Sequence, residues 1–110
     1  MGEGMITTEG RSQMKTDVIY TVSTLRGSLY GGTRCVGFYH DVENAKHAVE
    51  ENACDINECG YYHFAVIEKV TPGIYNFELD TLWYRWYNTK GYQPCEKPER
   101  FKRVICFGIG

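Results

Sequence analysis

The sequence predicts one α+β domain, an antiparallel sheet of about five strands with one main helix packed on one face. Two observations predict this fold class. Segments rich in β-branched and aromatic residues occur in two pairs, each joined by a glycine-containing connection, as in β-hairpins. One further segment, residues 42–53, has apolar residues at helical spacing. A chain of 110 residues has room for one such domain.

The first predicted hairpin joins residues 17–25 to residues 33–40, and both segments favour strands. The connection between them contains three glycines and no helical period, which is typical of a loop. Residues 1–16 are polar and have no period, so we expect a flexible tail. A single domain is then expected over residues 17–110.

The helix is expected to begin after Asp41, because an aspartate oxygen can accept from the free amides of the first turn. Val42, Ala45 and Val49 fall on one helical face, and charged residues fall on the other. This pattern predicts an amphipathic helix whose apolar face covers the sheet.

Residues 61–70 have apolar side chains on both faces, so they predict a central strand that is covered on both sides. We expect its core residues to be buried, namely Tyr62, Phe64, Val66 and Ile67.

The second predicted hairpin runs from residues 81–87 through a turn into residues 91–96. Pro94 places the latter segment at a sheet edge, since proline cannot donate to a ladder. One helical turn is expected over residues 98–102, and a short closing strand over residues 103–107.

Charge and cysteine content exclude several classes of protein. Twelve Lys and Arg stand against 14 Asp and Glu, and this net charge of −2 argues against a dedicated nucleic-acid binder. No apolar run has the length of a membrane span. Five cysteines, with no secretory signal at the start, predict free thiols and a cytoplasmic protein. Cys54 and Cys59 lack the second ligand pair of a structural zinc site, so we expect no metal.

The motifs of common catalytic sites are also missing from the sequence. There is no nucleophile elbow and no phosphate-binding P-loop, and His63 falls in the predicted central strand, where core histidines are common. We therefore expect no catalytic residue and no cofactor.

The glycine-rich connection is the first candidate ligand-binding segment. Arginine matches phosphate with a planar fork, glycine lets backbone amides approach an anion, and a tyrosine can stack on a base. The candidate residues in this segment are Arg26, Ser28, Tyr30, Gly31, Gly32 and Arg34. The alternative is a plain hairpin loop with solvated charges.

The second candidate segment is the aromatic strand of residues 81–87. Alternation places Trp83, Arg85 and Tyr87 on one face, and we predict that this face binds a ligand or partner while the other face is core. In the alternative, both faces are covered and the Arg85 side chain reaches solvent. The basic run of residues 97–103 is interpreted as a solvated surface.

Two resemblances accompany these segments. Residues 29–33 (LYGGT), followed by Gly37-Phe38-Tyr39 and Ala45, resemble the NAD-binding pattern of ADP-ribosyltransferases, although Gly31 stands where that family has histidine. Residues 17–70 resemble uncharacterised small bacterial and phage α+β proteins. This second resemblance implies stoichiometric binding, as in inhibitors and sequestering proteins of host defence.

The sequence thus favours a non-enzymatic binding protein that captures a nucleotide-like small molecule, with phosphate and base, or docks on a partner protein. The alternatives are a small NAD-linked transferase-like enzyme, which the first resemblance implies, and a structural or homo-oligomerisation module.

Overall fold

The computed structural model describes residues 18–27, 32–72, 80–102 and 107. They form an α+β fold with five strands and one α-helix. The strands are β1 (Ile19–Leu25), β2 (Thr33–Tyr39), β3 (Phe64–Val70), β4 (Thr81–Tyr87) and β5 (Gly91–Cys95). The helix is α1 (Val42–Glu50), and two short 3₁₀ turns occupy Ala53–Asp55 and Glu99–Phe101.

The strands lie in the order β2-β1-β3-β4-β5, and every neighbouring pair is antiparallel. Both predicted hairpins are confirmed as the β1–β2 and β4–β5 pairs. Strand β3 is central, as its apolar faces predicted, and β5 with Pro94 is at an edge. Strand β3 lies between the two hairpins and pairs with β4 on one side and with β1 on the other, from Ile19 opposite Val70 to Leu25 opposite Phe64.

Helix α1 begins at the predicted residue but ends earlier than expected. Asp41 Oδ1 accepts from the backbone amide of Glu43 at 2.8 Å, which caps the first turn. The helix stops at Glu50 rather than at residue 53, because Asn52 has a left-handed backbone with φ 51°.

The buried residues form two clusters. The first core cluster contains side chains from α1 and from the sheet: Val22, Ala45, Val49, Ala65, Ile67, Tyr84 and Tyr92. The second core cluster contains Leu25, Phe64, Val66, Trp83 and Phe101. Neighbouring residues of β3 alternate between the two clusters, so the clusters lie on opposite faces of the sheet.

The predicted core of the central strand is largely confirmed. Phe64, Val66 and Ile67 are buried, whereas Tyr62 is only half-buried. Strand β3 begins at Phe64 rather than at residue 61, since residues 51–61 form tight turns that end just before it. The predicted tail, and residues 103–106 of the predicted closing strand, lie outside the described residues.

Within the described ranges, no helix has the length and apolar character needed to cross a membrane. Cys35, Cys54, Cys59 and Cys95 are free thiols.

Candidate anion-binding site

The ends of the glycine-rich connection come together beside the sheet. The backbone amide of Arg26 donates to the carbonyl of Gly32 at 3.3 Å, which closes the connection between β1 and β2. Three of the predicted ligand-binding residues, Ser28, Tyr30 and Gly31, lie outside the described residues. The arginines at the two ends are described, and their surroundings differ.

Arg26 is held by an aromatic ring. Its Nη1 donates to the hydroxyl of Tyr61 at 3.1 Å, and its guanidinium lies 4.3 Å from the centroid of that ring. The Nε of Arg26 is buried and has no acceptor among the described residues. A buried donor without an acceptor is costly, so this guanidinium is suited to bind an added anion.

Arg34, unlike Arg26, has a carboxylate partner among the described residues, which the sequence did not predict. Its Nη1 forms an ion pair with Glu58 at 2.5 Å, and its Nη2 donates to the carbonyl of Ile56 at 3.3 Å. Arg34 also lines a cleft of about 480 Å³ together with two carboxylates, those of Asp55 and Glu58. These carboxylates repel anions from the cleft. The contacts of Arg34 with Glu58 and Ile56 connect β2 to the loop of residues 51–61.

Trp83 also differs from the prediction, because it is a core residue. Its side chain is 4% exposed and stacks on Phe101, with centroids 5.6 Å apart and planes inclined by 15°. Phe107 packs edge-on against the same indole at 5.1 Å. These two phenylalanines cover the part of the β4 face on which the sequence predicted an exposed tryptophan.

Arg85 and Tyr87 lie farther along the same face and are exposed. The Arg85 guanidinium lies 5.9 Å from the centroid of the Phe64 ring, and the Arg100 guanidinium lies 5.9 Å from the same centroid. Two cations therefore share one aromatic ring at this end of the sheet.

Gly27, the residue after Arg26, lies beside Arg100 and His63. A Cβ at residue 27 would lie 3.4 Å from Arg100 Nη1 and 3.2 Å from His63 Nδ1, so both nitrogens converge on the space that glycine leaves open. We call Arg26, His63, Arg85 and Arg100 the arginine cluster. In the described parts of the chain, none of its arginines forms an ion pair with a carboxylate.

Two members of the arginine cluster were missed by sequence reasoning. Arg100 was interpreted as part of a solvated basic run, and His63 as a core histidine. Arg100 is placed by the 3₁₀ turn whose Phe101 enters the second core cluster. His63 immediately precedes Phe64, which pairs with Arg85 across the sheet. A correct prediction of the register between β3 and β4 would have placed His63 near Arg85. No pattern in the sequence indicates that Arg100 lies there as well.

A loop of unusual backbone geometry holds Tyr61 next to Arg26. Asn57 is fully buried; its Nδ2 donates to the carbonyl of Tyr62 at 2.6 Å, and its Oδ1 accepts from the amide of Gly60. Several residues of the loop that are not glycine have φ between 51° and 56°: Asn52, Cys54, Asp55, Glu58 and Cys59. Buried amide hydrogen bonds of this kind stabilise backbone conformations that are otherwise unfavourable.

The loop contains a thiol and a carboxylate in contact, but their electrostatics disfavour nucleophilic chemistry. The backbone amide of Cys59 donates to Asp55 Oδ1 at 3.1 Å, and this bond is the largest cause that lowers the pKa of Asp55. The Cys59 thiol donates to the same carboxylate at 3.5 Å, which raises the pKa of Cys59. A thiol with a raised pKa has less of its nucleophilic thiolate form at neutral pH.

Among the residues that the structure describes, no group of three or more His, Cys, Asp or Glu side chains is arranged to hold a metal ion. Comparison of the chain with known protein families, with curated proteins and with solved structures found no match.

Proposed function

We propose that the protein is a non-enzymatic binding protein that captures a nucleotide-like small molecule, with the ligand's phosphate at the arginine cluster. The observation that carries the proposal is the convergence of Arg85 and Arg100 on the Phe64 ring, with no carboxylate partner among the described residues.

Physical chemistry favours an anion at this position. Two positive charges that have no carboxylate partner among the described residues attract an anion, and a bound anion offsets their mutual repulsion. Guanidinium groups match the geometry of phosphate with paired N–H donors, and such charge-assisted bonds are stronger than neutral ones. The unpartnered Nε of Arg26 and the Nδ1 of His63 supply further polar groups beside Gly27.

The surroundings of two thiols, Cys59 and Cys95, disfavour a role for either as a nucleophile. The exposed thiol of Cys59 is hydrogen-bonded to Asp55, which raises its pKa. Burial is the largest cause that raises the pKa of Cys95. A cysteine nucleophile needs the opposite shift.

The proposal also concerns the position of helix α1 on the sheet and the cellular location of the protein. We propose that α1 packs on one face of the sheet, supported by Ala45 and Val49 in the first core cluster, and that the face of Arg85 is left for the ligand. We also propose a reducing cytoplasmic location, supported by the free thiols of the described residues.

The experiment that tests the proposal compares two charge-removing variants of one 3₁₀ turn. Arg100→Gln removes a member of the arginine cluster, and Lys102→Gln is the matched control, because Lys102 is exposed and pairs with Glu99 at 3.1 Å. Calorimetric titration with the four ribonucleoside 5′-monophosphates measures the affinity of each protein.

We expect Arg100→Gln to weaken binding by roughly 10- to 100-fold, as for a lost hydrogen bond to a charged group, and Lys102→Gln to bind like the wild type. Equal affinities in the wild type and Arg100→Gln would contradict the proposed site. An absence of nucleotide binding in the wild type would contradict the proposed ligand class.

A further inference from the structure

We infer that the ligand is a nucleoside monophosphate whose base stacks on the exposed ring of Tyr87 while its phosphate lies between Arg85 and Arg100. This inference rests on the proposed function, because it presupposes that the arginine cluster binds phosphate. It adds the position of the base, the side chain that holds it and the length of the ligand.

Among the described residues, two exposed tyrosines border the arginine cluster, and Tyr87 is the less covered of the two. Tyr61 is 47% exposed, but the Arg26 guanidinium lies 4.3 Å from its centroid and Tyr62 packs edge-on against it at 5.0 Å. Tyr87 is 46% exposed, and its ring contact in the described parts of the chain is with the Arg85 guanidinium, which lies farther away at 5.8 Å from the centroid. The ring of Tyr87 is therefore the more accessible platform for a base.

The contacts of Arg85 favour a short ligand. The Arg85 guanidinium lies 5.8 Å from the centroid of Tyr87 and 5.9 Å from that of Phe64, and Arg100 lies at the same distance from Phe64. A phosphate bound by Arg85 is therefore next to the Tyr87 ring. A nucleoside monophosphate, in which one sugar joins the base to the phosphate, fits this arrangement.

Stacking on a tyrosine also predicts the selectivity of the site. Every base has a π face, so stacking alone discriminates weakly among bases. We therefore expect the four nucleoside 5′-monophosphates to bind with similar affinity, and all of them to bind more tightly than ribose 5-phosphate, which has the phosphate and sugar but no base.

The experiment separates the contribution of the base from that of the phosphate. Ribose 5-phosphate and adenosine 5′-monophosphate are titrated into the wild type, Tyr87→Leu and Tyr87→Phe. Phe38→Leu is the control for loss of an exposed aromatic residue, because Phe38 is 57% exposed on edge strand β2, outside the arginine cluster. Circular dichroism confirms that each variant is folded.

We expect Tyr87→Leu to weaken binding of adenosine 5′-monophosphate by roughly 5- to 150-fold, the range of base stacking on aromatic side chains, and to leave ribose 5-phosphate unchanged. Tyr87→Phe and Phe38→Leu should retain the affinity of the wild type for both ligands.

Two outcomes overturn the inference alone. Equal affinity of the wild type for the two ligands, or a base-dependent gain that persists in Tyr87→Leu, would place the base elsewhere while the phosphate site stands. Ribose 5-phosphate is also titrated into Arg100→Gln, which should bind it more weakly than the wild type does; equal binding by these two proteins would instead overturn the proposed function itself.

Discussion

Trp83, Arg85 and Tyr87 lie on one face of strand β4, but this face is covered near the start of the strand and exposed near its end. Trp83 is almost completely covered by Phe101 and Phe107, whereas Arg85 and Tyr87, two and four residues further along, are exposed. Alternation along a strand determines which face a side chain occupies. What covers that face is decided by residues distant in sequence, and here it changes along the strand.

The opposite face of β4 shows a different distribution of exposure. Leu82 is 39% exposed, Tyr84 is buried in the first core cluster, and Trp86 is half-buried against Tyr92. Each face of β4 therefore has a covered part and an open part. The arginine cluster occupies the open part of the Trp83 face.

The largest effect expected from this comparison is on stability. Trp83→Ala removes a stacked, buried indole, and we expect it to lower the free energy of unfolding by about 3–5 kcal/mol, because transfer and cavity terms add. Tyr87→Ala should change it by less than about 1 kcal/mol, since most of its surroundings are solvent. Urea denaturation measures both, and similar losses would show that the two ends of β4 are equally covered.

The second prediction concerns the tyrosines of the first core cluster at alkaline pH. Burial is the main cause that raises the pKa of Tyr84 and of Tyr92, each from 10.0 to about 12. Between these values the unfolded chain loses protons that the folded protein retains, so the contribution of these two tyrosines to stability should be constant below pH 10 and fall as the pH rises from 10 to 12. In urea titrations across this range, Tyr92→Phe should show a shallower fall; an identical profile would argue against a buried phenol.

A smaller effect is expected at the paired arginine. Arg34→Gln breaks the ion pair with Glu58, whose partners are both substantially exposed, and we expect a loss of about 0.2–1 kcal/mol that shrinks with added salt. Thermal unfolding at low and high ionic strength checks this expectation. A salt-independent loss would indicate that the hydrogen bond to Ile56, rather than the ion pair, carries the stabilisation.

The smallest effect is expected at Arg85, which has no ion-pair partner in the described ranges. Arg85→Gln should change the free energy of unfolding by no more than about 0.5 kcal/mol, because the guanidinium is exposed and its contacts with the Phe64 and Tyr87 rings are about 6 Å long. The contrast with Arg34→Gln tests which arginine is structural. If Arg85→Gln destabilises the protein more than Arg34→Gln does, the assignment of the two roles is reversed.

The strands and the helix were predictable because local patterns specify them. The Asp41 cap, the helical spacing of Ala45 and Val49, and the two-sided apolar character of β3 are all visible in the sequence. The strand order was only partly predictable: Pro94 places β5 at an edge, but no local pattern decides that β1, rather than β2, lies next to β3. The ends of these elements were less predictable, because the left-handed residues that stop α1 and delay β3 are not glycines.

The candidate site was predictable only in part. Arg26, Arg85 and Tyr87 were found from residue chemistry, which does not depend on tertiary contacts. The burial of Trp83 depends on Phe101 and Phe107, and the neutralisation of Arg34 depends on Glu58. Arg100 reaches the site through the packing of its neighbour Phe101. Each of these outcomes results from a contact between segments far apart in the chain.

The pairing of β1 with β3 has a consequence for the order in which the protein folds. Each hairpin closes a short stretch of chain, whereas the β1–β3 ladder joins residues separated by β2, α1 and the loop after it. Contacts between distant residues form slowly, since the entropy of closing the intervening chain is lost before they stabilise the structure. Arg26 follows β1, and Arg85 lies on β4 on the other side of β3, so the arginine cluster is completed only when β1 pairs with β3. The capacity to bind an anion should therefore appear in the last, slow phase of refolding.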